Sequence, residues 1–178
     1  MKLYRHKDIN CGFIILCPEQ KIALLQATVN SIKSRYPNSP YFCVTEQNAS
    51  DEDISELNKI CRCYRGKSTF SSLINCGMRH ARSGWNFIVC AGAIVRPRMD
   101  IKFSYFIESE KDVLYPISEN KTHFVEATLN GLLLNKNMWR EVGEMEEEGD
   151  FEWVKTLWAL SAIQNQVKFK AIANSKIC

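Results

Sequence analysis

The amino-acid sequence predicts an α/β protein: a single-domain mixed, mostly parallel sheet flanked by helices on both faces. Three observations carry that prediction. Gly12 to Cys17 is a continuous apolar run of strand length, the pattern of a parallel strand buried on both faces. Strand-length runs then alternate with segments of helical period along most of the chain. The 178 residues are 46% apolar and 24% charged, which suits one compact core, so residues 1–178 read as one domain without linker, repeat or low-complexity tract.

Each element has a local reason. Pro18 closes the first strand, and Ile22, Leu25, Val29, Ile32 and Tyr36 then fall at helical spacing until Pro37. Tyr41 to Glu46 is a second strand. Ser50 with Asp53 three residues later resembles a capping box opening a helix with Ile54, Leu57 and Ile60 on one face. Arg62 to Arg65 is a short strand, followed by a helix from about Ser68 to Arg82. Trp85 to Cys90 is the next strand, and it should lie parallel beside the strands starting near Gly12 and Tyr41. Beyond Pro97 the pattern loosens. Asp112 to Ile117 and Gly131 to Asn135 read as strands, Met138 to Val142 as a helical turn, Asp150 to Gln164 as a helix and Val167 to Ile172 as a last strand.

Composition also excludes. The longest apolar stretches are far shorter than the roughly 20 residues that cross a bilayer, and the polar start MKLYRHKDIN is unlike a secretory signal. The expectation is a cytoplasmic chain with no membrane span. A net charge of +3 is too small to make nucleic acid the default partner. Its distribution is uneven, because seven carboxylates lie between Glu141 and Glu152 with no Lys or Arg among them. The eight Cys contain no C-x-x-C, and their closest pair is Cys61-x-Cys63. Cys17, Cys43 and Cys90 sit in apolar strands and read as small hydrophobes, so reduced thiols are expected. His6, His80 and His123 are too scattered for a zinc site.

Ligands of open parallel sheets bind beyond the carboxyl ends of the strands. Those ends are Cys17-Pro18-Glu19, Thr45-Glu46-Gln47 and Cys90-Ala91-Gly92-Ala93. No G-x-G-x-x-G follows the first strand, and G-x-x-x-x-G-K-[ST] and G-x-S-x-G do not occur. The common phosphate loops and the serine-nucleophile elbow are therefore absent. Asn48-Ala49-Ser50 and Asn120-Lys121-Thr122 match the glycosylation pattern, which means nothing in a cytoplasmic chain.

Four stretches, in order, resemble one family. Leu24-Leu25-Gln26-Ala27-Thr28-Val29-Asn30-Ser31-Ile32 is similar to its L-L-x-x-T-L-x-S-I. Val44-Thr45-Glu46 with Asn48-Ala49-Ser50-Asp51 resembles its V-D-D-x-S-x-D. Asn75-x-Gly77-x-x-x-Ala81, then Gly84, resembles its N-x-G-x-x-x-A-x-G. Trp139-Arg140-Glu141-Val142-Gly143 and the acidic run to Asp150-Phe151-Glu152-Trp153 resemble its V-G-G-F-D-E and E-D-x-D-L segments. The family is the GT-A glycosyltransferases of the family-2 type, which transfer a sugar from a nucleoside diphosphate.

That resemblance implies a nucleoside diphosphate-sugar donor, held by Pro18, Glu19, Glu46, Asn75, Ala91, Gly92, Ala93 and Arg96, and a sugar acceptor of unknown identity. It implies Asp150 as catalytic base, with Glu152 beside it and Glu148 as the alternate; Asp150 and Glu152 in a first helical turn would equally serve as caps. The family's metal-binding D-x-D falls on Ala91-Gly92-Ala93, where both carboxylates are missing. No divalent metal or other cofactor is expected there. Arg96 and Arg98, or Arg62, Arg65 and Lys67, are the candidates to meet the diphosphate charge instead. Trp139, Trp153 and Trp158 are expected mainly in the core. A second reading is a related protein that binds a nucleotide sugar or a partner chain without turnover. A third is an α/β protein binding another nucleotide, alike only through shared sheet physics.

Overall fold

A computed structural model describes residues 9–116 and 130–172. Strands β1 (Cys11–Leu16), β2 (Tyr41–Glu46), β3 (Cys63–Gly66), β4 (Trp85–Cys90), β5 (Asp112–Pro116), β6 (Leu132–Asn135) and β7 (Lys168–Ile172) form one sheet in the order β3-β2-β1-β4-β6-β5-β7. The predicted parallel neighbours are found: β1 pairs β2 from Phe13–Tyr41 to Leu16–Val44, and β4 from Cys11–Trp85 to Leu16–Cys90. Strand β6 enters antiparallel between β4 and β5, and β7 closes the edge parallel to β5. His6, Asn120-Lys121-Thr122, His123 and Cys178, and Ile117 at the expected end of β5, lie outside the described residues.

Along β1 and its exit the side chains alternate. Cys11, Phe13, Ile15 and Cys17 enter one core with Leu25, Val29 and Phe103, whereas Ile14 and Leu16 enter the other with Leu73, Ile74 and Trp158. The first core is covered by α1 (Ile22–Arg35), α2 (Asp51–Ile60) and α4 (Met99–Ser104). The second is covered by α3 (Phe70–His80), α5 (Lys136–Val142) and α6 (Phe151–Gln164). The Ser50–Asp53 capping box is present: the Asp53 N–H donates to Ser50 Oγ at 3.0 Å, and the Ser50 N–H to Asp53 Oδ2 at 3.2 Å. Gly77 lets α3 lie on β1, since a Cβ there would stand 2.4 Å from Ile14 Cγ2.

The tryptophan expectation holds with one exception, and the cysteine expectation is corrected at one position. Trp139 and Trp158 are buried against each other, 4.9 Å between ring centroids, but Trp153 is 60% exposed. Five residues on a helix turn through about 140° beyond a full circle, so Trp153 faces away from the side that buries Trp158. Cys90 is half-buried rather than fully so, because it reaches the strand end, while Cys17 and Cys43 are buried. Among the described residues no helix is long and apolar enough to cross a membrane.

Candidate functional site at the carboxyl ends of the parallel strands

Strand order reverses between β1 and β4, with β2 and β3 on one side and β6 on the other. At that point a cavity of about 200 Å³ opens, lined by Leu16, Pro18, Glu19, Lys21, Phe70 and Ala91 among others. The loop from β1 to α1 is tied to β2: Thr45 Oγ1 donates to the Cys17 carbonyl at 2.8 Å, and Gln20 Nε2 donates to Thr45 Oγ1 at 3.2 Å. Glu19 and Lys21 form an ion pair at its rim. Leu24 and Phe70, each partly exposed, supply apolar wall.

Beyond β3 lies a larger, more polar hollow of about 610 Å³ lined by Gln47, Arg65, Lys67, Ser72, Arg79 and Glu147. The acidic run forms its lid. Glu147 pairs with Lys67 at 2.8 Å and with Arg79 at 3.1 Å, and Glu144 pairs with Arg79 at 2.7 Å. The Lys67 hydrogen bond, which outweighs partial burial, holds the Glu147 carboxyl below its usual range, and Glu147 in turn holds the Lys67 ammonium above its own. Thr69 Oγ1 donates to the Glu147 carbonyl at 3.0 Å, fastening the lid to the start of α3. Arg65 bonds the Ala49 carbonyl at 3.0 Å and Asp51 at 2.7 Å. Arg62, the other basic candidate of β3, instead lies over the Tyr64 ring, 4.9 Å from its centroid.

The structure brings some expected residues together and separates others. Pro18, Glu19 and Ala91 line the smaller cavity, and Glu46 ends β2 next to Gln47 of the larger one. Gly92, at φ +97°, turns away onto α1, its N–H meeting Thr28 Oγ1 at 2.9 Å and the Leu24 carbonyl at 3.1 Å. Ala93 is 4% exposed and packs in the α1 core, so even a carboxylate at that position would point into apolar surroundings. The Ala91-Gly92-Ala93 segment thus offers no side-chain oxygen to a divalent metal. Among the described residues no three His, Cys, Asp or Glu are placed to hold one.

From Gly92 the chain follows α1 to its far end, where the Tyr36 hydroxyl donates to the Arg96 carbonyl at 2.9 Å. The 12 residues from Leu24 to Tyr36 rise about 18 Å, which carries Arg96 and Arg98 away from the strand ends. Asn75 is fully buried, and its amide is bonded on both sides to the Met145 backbone. Asp150 is the N-cap of α6, its Oδ1 accepting from the Glu152 and Trp153 N–H groups at 3.0 and 3.2 Å. Glu152 pairs with the buried Lys155 at 3.0 Å. Asp150 is not among the residues that line either hollow; its neighbour Phe151 packs toward Phe70, 5.7 Å between ring centroids.

Phe70, Arg79 and Glu147 are site residues that sequence reasoning missed. Phe70 had a readable signal, an aromatic side chain at the first turn of a helix directly after a strand. Arg79 and Glu147 had none, since they meet only through the fold.

The smaller hollow lies where open α/β sheets hold their ligands, at the point where strand order reverses. No protein-family model and no curated protein matches the chain. Solved structures do. A cytidylyltransferase from Leptospira borgpetersenii serovar Hardjo-bovis is similar with a TM-score of 0.63 and 11% identity, covering 95% of this chain and 78% of that one. The bifunctional IspDF from Campylobacter jejuni is similar with a TM-score of 0.60 and 10% identity, covering 94% of this chain and 51% of that one. The likeness at these identities is one of fold. It bears out the α/β class and the mostly parallel sheet.

Proposed function

We propose that the chain binds a nucleoside diphosphate-sugar across the carboxyl ends of β1 to β4 and transfers the sugar to an acceptor hydroxyl without a carboxylate-held metal. The observation that carries this reading is the pair of hollows at the switch point between β1 and β4 and beside β3, one largely apolar, the other edged by Arg65, Lys67 and Arg79. In it, Glu46 accepts from a nucleobase N–H, while Arg65 and Lys67 exchange their pairs with Asp51 and Glu147 for the diphosphate. Pro18, Glu19, Phe70 and Ala91 enclose the sugar. Asp150 takes the acceptor proton as the acceptor oxygen bonds the sugar carbon and the diphosphate leaves. The four sequence stretches similar to GT-A transferases support it, as does a fold shared with cytidylyltransferases.

A nucleoside triphosphate suits the loop after β1 less well. A triphosphate needs convergent backbone N–H groups or unpaired cations there, and that loop offers Pro18 and a Glu19–Lys21 ion pair. A second reading, binding without turnover, is favoured by the alanines of Ala91-Gly92-Ala93 and by the capping bonds of Asp150.

The test is a thermal-shift and calorimetry panel of uridine, cytidine and guanosine diphosphate-sugars, with CTP as comparison, each in EDTA and in Mn²⁺. One nucleoside diphosphate-sugar should stabilise the chain, by about 2.7 kcal/mol at 100 times its Kd, equally in both buffers. Binding only with Mn²⁺, or of CTP alone, overturns the reading. Binding without product across an acceptor screen selects the second.

A further inference from the structure

Cys43 sits mid-strand in β2 directly opposite Cys63 of β3, with Cys61 two residues earlier on the same face. Cys43 and Cys61 are buried in the same core, and Cys63 packs against its edge.

We propose that Cys63 is an oxidation site, the thiol that reacts with a small-molecule disulfide, and that Cys43 resolves it into a Cys43–Cys63 bond tying β2 to β3.

Geometry selects this pair. Register partners on neighbouring strands lie about 4.8 Å apart, inside the Cα range of roughly 4.4–6.8 Å that a disulfide spans. Cys61 lies outside the paired register, at the C-cap of α2, and is buried, so access sets it apart from the half-buried Cys63. Access selects the order of events. Cys63 is half-buried, whereas Cys43 is fully buried. The hydrogen bond from Cys43, reinforced by Arg65, outweighs partial burial and holds the Cys63 thiol below its ordinary value. Its bonds to Cys61 and Cys63, together with burial, keep the Cys43 thiol protonated.

The steps balance. The Cys63 thiolate attacks one sulfur of the small disulfide, forming a mixed disulfide and expelling one thiolate. Cys43 gives its proton to solvent as its sulfur attacks that of Cys63, expelling the second thiolate. Two protein thiols are oxidised, and one disulfide is reduced to two thiols.

Trypsin makes the product legible, because cleavage after Arg35, Lys59, Arg62 and Arg65 puts Cys43, Cys61 and Cys63 on three separate peptides. The full chain is incubated with oxidised glutathione, alkylated and digested. The expected product joins residues 36–59 to 63–65. The Cys63→Ser variant should leave Cys43 unmodified, Cys61→Ser should leave the link intact, and Cys43→Ser should trap Cys63 as its glutathione adduct. A link through Cys61, or no loss of free thiol in wild type at millimolar oxidised glutathione, overturns the proposal. The wild-type map alone decides between these outcomes if a variant does not fold.

Discussion

Asn75 and Met145 are joined by two hydrogen bonds, Asn75 Nδ2 donating to the Met145 carbonyl at 2.7 Å and the Met145 N–H donating to Asn75 Oδ1 at 3.0 Å. One buried side chain thereby stands in for a strand partner, and it fixes the acidic run over α3 with Glu147 in reach of Lys67 and Arg79. Asn75→Ala strands two buried backbone groups. It should cost about 2–4 kcal/mol, read as a lower denaturant midpoint.

Gly77→Ala puts a methyl 2.4 Å from Ile14 Cγ2, where α3 crosses β1. Overpacking of this kind costs about 1–3 kcal/mol. Thermal unfolding should show the loss, whereas Gly84→Ala, with nothing within 4 Å, should stay near wild type.

Asp150 separates capping from catalysis. Asn caps about as well as Asp, so Asp150→Asn should keep stability, and Asp150→Ala should lose about 1 kcal/mol. If Asp150 takes the acceptor proton, Asp150→Asn also lowers kcat roughly 10²–10⁴-fold with donor affinity unchanged. Unchanged turnover in Asp150→Asn would make the residue a cap alone.

Asp112 is fully buried beside Lys170, 2.9 Å away. Burial alone would push its carboxyl up, but the Glu108 N–H, the Lys170 ammonium and the Ser109 N–H outweigh that and hold it below its usual value. Its folded value is thus below the unfolded one, near 3.9. The stability it contributes is complete above that range and is lost as pH falls through it toward the folded value. Asp112→Asn should lower stability at pH 7 by roughly 1–3 kcal/mol, and its acid-unfolding curve should be flatter than wild type below about pH 4.

The strands and their order of appearance were legible because burial leaves a one-dimensional mark. GFIILC, YFCVTE and WNFIVC are runs that only a two-sided core tolerates. The cap of α2 was legible for the same local reason. The direction of β6 was not, since an antiparallel neighbour leaves the same LLLN apolar run that a parallel one would. The short α4 was missed because its N-cap, Arg98 at φ +61°, is not a capping residue type. For the site, the strand ends picked out Pro18, Glu19 and Ala91. The clip at Asn75, the detour of Arg96 along α1 and the meeting of Phe70 with Phe151 are products of tertiary folding, which periodicity does not encode.

The interior position of β1 also sets a timetable. It must pair with β4, whose first residue, Trp85, comes 74 residues after Cys11. At synthesis rates of about 5–20 residues per second, the ribosome needs roughly 4–15 s to deliver that partner. Meanwhile one edge of CGFIIL is unpaired, with a side-chain pattern made for burial. The nascent chain therefore passes through an interval in which its most apolar strand is its stickiest. Slow codons between β2 and β4 would lengthen that exposure, and a chaperone that caps open strand edges would act before Cys90 emerges.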